Sequence, residues 1–181
     1  MGPLPTPGTP AAGRDFRQQL FALLGICFVI AMVALDQTVI GTALPTIVAE
    51  LHGFDLYAWI GTAYLLTSII AVPIFGKLGD EHGRKPYILA AIVLFTLASM
   101  LCGLAQDMLQ LALARALQGI GGGILIATAF ASVPDLFPDP HERLRWQVLL
   151  SGSFGLANAC GPTLGGYLTE YLGWRWIFFV N

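Results

Sequence analysis

The chain has 181 residues, of which 56% are hydrophobic and only 11% charged, and its mean hydropathy is +0.72. Water-soluble domains carry about 25% charged residues, so this composition excludes an ordinary soluble fold and points to a protein that lives in lipid. The formal net charge of −2 offers no basic surface for nucleic acid, and no such partner is expected.

The N-terminal stretch, residues 1–16, is rich in Pro, Gly and Thr and reads as a disordered tail. A helix needs about 20 mostly apolar residues to cross roughly 30 Å of hydrocarbon. Residues 17–181 hold five such runs, at about 20–48, 57–75, 87–105, 108–133 and 146–171. A sixth begins at Trp176, and the chain stops at Asn181. No period-two alternation of barrel-strand length competes, so the expected fold is an all-α membrane bundle.

The nine Lys and Arg residues set the orientation. With the loops alternating sides, Arg14, Arg17, Lys77, Arg84, Lys85, Arg143 and Arg145 share one side and Arg175 alone takes the other. Arg115 lies within a span. Basic loops stay inside, so the N-terminus and the loop after the second span are expected in the cytoplasm. Tyr57, Trp59, Tyr171, Trp174 and Trp176 then fall at outer ends, where interfacial aromatics belong. Cys27, Cys102 and Cys160 all lie in apolar runs and read as buried free thiols. There is no nucleophile–base set, metal cluster or phosphate loop, so an enzyme is not expected.

Two ionisable residues sit inside spans, where charge is expensive and normally marks a cavity, a partner or an ion path. Asp36 is deep in the first run and Arg115 in the fourth. Desolvation and a nearby cation pull a carboxyl in opposite directions, and a group balanced between them can load and release a proton. A carboxylate that only bonds a neighbouring helix is the alternative. Counted from Glu50 and Asp107 at about 1.5 Å per residue, Asp36 is roughly 21 Å deep and Arg115 roughly 12 Å. A direct pair is allowed by that spacing without being required, and Gln118 or water could bridge the two. Helical spacing puts Arg115, Gln118, Gly119 and Gly122 on one face, and Gly119 with Gly123 forms a small-xxx-small pair suited to close packing.

The segment Gly76-Lys77-Leu78-Gly79-Asp80-Glu81-His82-Gly83-Arg84-Lys85 joins the second and third runs as a ten-residue polar loop. Gly76 and Gly79 allow close helix approach, and Gly83 allows a positive-φ reversal. Asp80 can accept hydrogen bonds at a helix N-terminus, and Arg84 and Lys85 can pair with carboxylates. A solvated turn that only sets topology is the alternative.

This loop resembles the G-x-L-(A/G)-D-x-x-G-R-(K/R) loop of the major facilitator superfamily of secondary transporters. Three further segments resemble motifs of that family in the same order. Leu35-Asp36-Gln37-Thr38-Val39 with Ala43-Leu44-Pro45 is similar to the first-span motif of its fourteen-span, proton-coupled drug exporters. Arg115, Gln118, Gly119, Gly121 and Gly122 match the fourth-span R-x-x-Q-G-x-G-(G/A). Gly161, Pro162, Gly165 and Gly166 match the antiporter motif G-x-x-x-G-P-x-x-G-G, with Ala157 in place of its first glycine. The resemblance covers residues 17–181 and implies the first five spans and the start of a sixth from an N-terminal half. It implies that this chain is one part of a transporter whose C-terminal half is missing here.

By the same resemblance, Asp36, Arg115 and Gln118 serve proton coupling or substrate, and Gly76, Asp80, Gly83, Arg84 and Lys85 form a cytoplasmic gate. Gly161, Pro162, Gly165 and Gly166 give tight packing that limits proton leak. The implied activity is proton-coupled export of small lipophilic or cationic drugs across the plasma membrane, for example a bacterial inner membrane. The partners are then substrate, protons and the bilayer, with a proton gradient and no cofactor. A related facilitator carrying a metabolite, siderophore or sugar is one alternative, and a non-transporting relic or scaffold is another.

Overall fold

The computed structural model of the chain describes residues 16–137 and 139–181. The tail expected over 1–16 lies outside the described residues, except for Phe16, which opens the first helix. Every regular element among the described residues is helical. In order they are α1 (Phe16–Leu51), a single 3-10 turn (Phe54–Leu56), α2 (Tyr57–His82), α3 (Arg84–Leu104), α4 (Met108–Leu136), α5 (Pro140–Tyr171) and α6 (Arg175–Phe179).

Local chemistry marks several boundaries. Asp107 caps α4 by accepting the Gln110 backbone N–H at 2.8 Å, and the Gln110 side chain accepts from Gln106 N at 3.1 Å. The two bonds satisfy backbone donors that a helix start leaves open. Asp139 caps α5 at the His141 N–H (2.9 Å), with Pro140 in the first helical position, where its missing N–H is no loss.

Four helices are long and apolar enough to cross a membrane: α1 from Leu20, α2 with the turn before it, α3 and α4. The fifth expected span falls in α5, which has the length, at 32 residues. It is less apolar than the others because Ser151, Gly152, Ser153, Gly155, Asn158, Gly161, Pro162, Gly165 and Gly166 interrupt it.

α4 is the central helix. It packs between α2 and α3 and also meets α1, while α5 lies along α1 and α6 along α3. Glycine permits the close approach of α4 to α2: a Cβ on Gly119 would meet the backbone of Tyr64, and one on Gly123 would meet Ser68 Cα at 2.9 Å. Without the side chain, the two backbones come into dispersion contact, the main source of helix association in lipid. Thr67 Oγ1 bridges the same seam by donating to the Ala116 carbonyl at 2.7 Å. The outward faces of α2 and α3 carry exposed Leu65, Ile69, Leu89, Val93 and Leu97, as a lipid-facing surface should.

Three expectations are corrected. The ten-residue loop is almost all helix, since α2 continues to His82 and α3 starts at Arg84. Gly83 alone makes the turn, at φ 85° and ψ 149°, a conformation open to glycine and strained for other residues. The polar residues therefore ride on helix ends that extend past the apolar runs. Trp174 is not an interfacial anchor: it is 1% exposed, within the core cluster of Ile47, Ile60, Leu111 and Phe178. Its place at the outer end of a span suggested an interface, but the indole N–H is satisfied inside the protein, by Glu50 Oε2 at 2.7 Å. All three cysteines are free, yet only Cys102 is buried, and Cys160 is exposed on α5.

Candidate functional site

Four helices meet around a buried polar cluster. Asp36 of α1 and Arg115 of α4 are each 1% exposed, and Gln118 is fully buried. Arg115 Nη1 donates to Asp36 Oδ2 at 2.6 Å and to Gln118 Oε1 at 2.8 Å. Gln118 Nε2 donates to Asp36 Oδ1 at 2.8 Å and to Ser99 Oγ of α3 at 3.2 Å. Asn181, just past α6, donates from Nδ2 to Asp36 Oδ1 at 2.7 Å. The carboxylate thus accepts from three side chains, and the guanidinium lies over the Tyr64 ring of α2, 4.3 Å from its centroid. The Tyr64 hydroxyl itself is buried without a hydrogen-bond partner among the described residues.

The three residues singled out from the sequence for coupling therefore meet directly. The depth estimate that separated Asp36 from Arg115 used α1 as a ruler, and that ruler is too long. α1 has 36 residues, about 54 Å of helix, far more than the hydrocarbon thickness. Its end is no depth marker. Arg115 lies seven residues into α4 and Ser99 five residues before the end of α3, so these neighbours put the cluster nearer one end of the bundle.

Burying an ion pair in this way costs desolvation, which only good geometry and further hydrogen bonds offset. Both are present here. Arg115 cannot shed its charge, so the pair keeps a fixed cation in the interior of the bundle. Sequence reasoning missed Tyr64, Ser99 and Asn181. Their signal was weak: single polar side chains in apolar runs, with nothing in the spacing to say that they converge.

A second charged cluster lies at the Gly83 turn. Arg84 donates to Asp80 at 2.7 Å, to Asp135 near the end of α4 at 2.5 Å, and to the carbonyl of Ala131. It ties the α2–α3 turn to α4. Asp135 had not been singled out. Asp80 caps no helix N-terminus, because Arg84 four residues on occupies it. Gly79 is in ordinary contact, with Arg84 Cγ 3.5 Å from its notional Cβ. Gly76 makes no close approach, having open space around it. Lys85 is exposed and lines, with Asp80 and Arg84, a groove of about 910 Å³ between α1, α3 and α4. The groove continues over Val29, Ile92, Leu125 and Thr128 and stops short of the Asp36 cluster.

At the other end of the bundle, Arg175 binds Glu50 and stacks on Trp174, 4.4 Å from its ring centroid. This ties the start of α6 to the end of α1.

The antiporter-like segment divides. Gly161 and Gly165 are buried against α1, where added Cβ atoms would strike Thr38 and the Val39 backbone. Pro162 is exposed and Gly166 faces open space, so neither takes part in the expected packing. The reason is helical phase: positions 157, 161 and 165 share a face, and 162 and 166 lie about 100° away from it. Among the described residues no group of His, Cys, Asp and Glu could hold a metal ion.

A family model described as Major Facilitator Superfamily matches residues 26–181. Multidrug resistance protein 3 of Bacillus subtilis is 42% identical over 161 residues, 89% of this chain and 31% of that protein. Multidrug transporter protein MdtP of the same organism is 42% identical over 170 residues, 93% of this chain and 31% of that protein. The efflux pump dotC of Dothistroma septosporum is 37% identical over 174 residues, 96% of this chain and 30% of that protein. The chain spans about 31% of the length of such curated relatives. A family match across most of the chain, joined to an all-helical bundle with apolar helices of spanning length, makes this a multi-pass membrane protein of the Major Facilitator Superfamily.

Proposed function

We propose that the protein works as a proton-coupled exporter of small lipophilic or cationic drugs across the plasma membrane, with its N-terminus in the cytoplasm. The observation that carries this reading is the buried Asp36–Arg115–Gln118 cluster between α1 and α4. It holds one group that can bind a proton beside one that cannot lose its charge.

In the deprotonated state Asp36 neutralises Arg115 and holds α1 to α4. A proton on Asp36 cancels that attraction and leaves Arg115 charged, which lowers the cost of separating the two helices. An exchange cycle needs such a difference in stability between two arrangements. The match of Gly161, Pro162, Gly165 and Gly166 to the antiporter motif supports exchange over symport, and Gly161 and Gly165 pack closely on α1 at Thr38 and Val39. At the Gly83 end, Arg84, Asp80 and Asp135 are positioned to latch the cytoplasmic side. The seven-to-one bias of basic loop residues supports the orientation. The names of the relatives, two multidrug proteins and an efflux pump, support the substrate class and direction.

The test is made on the full-length protein in proteoliposomes with an imposed pH gradient. Asp36→Asn is expected to abolish gradient-driven efflux of a lipophilic cation such as ethidium while binding of the cation persists. Efflux at the native rate would rule out the proton role. Arg115→Lys keeps the charge and loses the planar fork that bonds Asp36 and Gln118 from one nitrogen. It is expected to impair transport, and full activity would reduce Arg115 to a point charge.

A further inference from the structure

The three donors on Asp36 are not chemically equivalent. Arg115 has only N–H donors and no acceptor, so Oδ2, which it binds at 2.6 Å, must stay an acceptor in every state that keeps this bond. A carboxyl C=O accepts more strongly than its O–H, so the short Arg115 bond is kept best with Oδ2 as the carbonyl oxygen and the proton on Oδ1, where Gln118 and Asn181 both donate. A carboxylic O–H donates once and still accepts. One of the two amides must then present its oxygen.

Gln118 is not free to do so. Its Oε1 accepts from Arg115 Nη1 at 2.8 Å and from Cys102 Sγ at 3.5 Å, and its Nε2 also reaches Ser99 Oγ. Turning the amide would set its N–H against a guanidinium that has nothing to accept with. Asn181 has a single bond in this cluster, the one to Asp36.

We propose that Asn181 is the positioning residue that reads the protonation state of Asp36 by turning its side-chain amide. With Asp36 ionised, Asn181 Nδ2–H donates to Oδ1. With Asp36 protonated, the Oδ1–H donates to Asn181 Oδ1, while Gln118 continues to donate to the same carboxyl oxygen. The one proton gained sits on Asp36, and no other group changes its proton count.

The charged and titratable neighbours of this carboxyl are Arg115 of α4 directly, Tyr64 of α2 through the guanidinium and Cys102 of α3 through Gln118. Arg115 has no acceptor, Tyr64 meets the cluster with its ring, and Cys102 Sγ is engaged with Gln118 Oε1, so the role of acceptor is assigned to Asn181. The consequence for α6 is mechanical. It stays attached to α1 in both states, and the Ser99 bond to the Phe178 carbonyl at 2.8 Å holds it to α3 as well. The change of charge is then expressed at the α1–α4 contact.

This inference rests on the proposed proton coupling at Asp36, and the experiment separates the two. The full-length protein, with its asparagine side-chain carbonyls carbon-13 labelled, is followed in lipid by infrared difference spectroscopy across pH. A carboxylic C=O band that appears on acidification and is missing in Asp36→Asn reports protonation of Asp36. The expected result is a downshift of one labelled amide C=O band with the same midpoint, as that oxygen gains a hydrogen bond. In Asn181→Gln, which keeps an amide and its bonds, the shift should leave the asparagine label and reappear on a glutamine label. A labelled band that does not move, or one that still moves in Asn181→Gln, would overturn the role of Asn181 and leave the proton reading standing. If the Asp36 band never appears, the proton reading falls and this inference falls with it.

Discussion

Of the arginine–carboxylate clusters among the described residues, the buried one at Asp36 and the one at the Gly83 turn differ in almost every physical respect. Arg115 and Asp36 are each 1% exposed, and their remaining polar atoms are met by Gln118, Asn181 and the Tyr64 ring. At the Gly83 turn, Arg84 has 19% of its side chain exposed, while Asp80 and Asp135 have 63% and 62%. Water screens the second cluster and cannot reach the first. A buried pair is costly to break because the surviving charge is left in an apolar interior. An exposed pair can open and close at little cost, since solvent replaces whichever partner leaves. Neutralising one charge therefore changes far more at the first cluster than at the second.

The largest test of this contrast removes either member of the buried pair. Arg115→Ala, or Asp36→Ala with Arg115 retained, is expected to cost about 3–5 kcal/mol, read as a lowered thermal midpoint of the purified protein in lipid. Asp36→Ala should be the worse of the two if the stranded guanidinium governs the loss. Equal and small effects would mean that water reaches the site.

Next in size come substitutions at the glycines that bring backbones together around the buried cluster. Gly119→Val against α2 or Gly165→Val against α1 should cost about 1–3 kcal/mol through overpacking, measured in the same melt. Gly76→Ala is the control from the exposed end. A Cβ there meets nothing, and exchanging glycine for alanine within a helix is worth a gain of about 0.5–1 kcal/mol. A loss at Gly76 would show that this motif glycine has a contact with some other part of the protein.

The smallest expected effect is at the exposed cluster. Asp80→Asn or Asp135→Asn should change stability by less than about 1 kcal/mol, and raised salt should shrink the difference further. An effect as large as that at Asp36 would remove the distinction between the two clusters.

Much of the fold was legible in the sequence because lipid imposes a simple rule: every backbone polar group must be satisfied within its own segment. Length and apolarity therefore mark the helices. The rule weakened at α5, where small residues chosen for packing lower the hydropathy of a helix that is still 32 residues long. It also failed at residues 76–82, whose charges read as loop, although a helix end that projects beyond an apolar run can carry charge freely. Within the candidate site, Asp36 and Arg115 announced themselves by the cost of charge in an apolar run. Ser99, Tyr64 and Asn181 carried no such mark, since one hydroxyl or amide in a span is cheap enough to have many explanations.

By itself the sequence determined an all-helical, lipid-embedded chain, the glycine turn at Gly83 and two intramembrane ions in need of partners. Only the tertiary structure decided that those ions are each other's partner, that Gly161 and Gly165 pack while Gly166 does not, and that Asn181 closes the shell around Asp36. The division has a physical reason. Hydropathy and helix geometry act along the chain and can be read one segment at a time. The meeting of α1, α3, α4 and α6 depends on helix phase and on offsets between helices of unequal length, and no single segment encodes either.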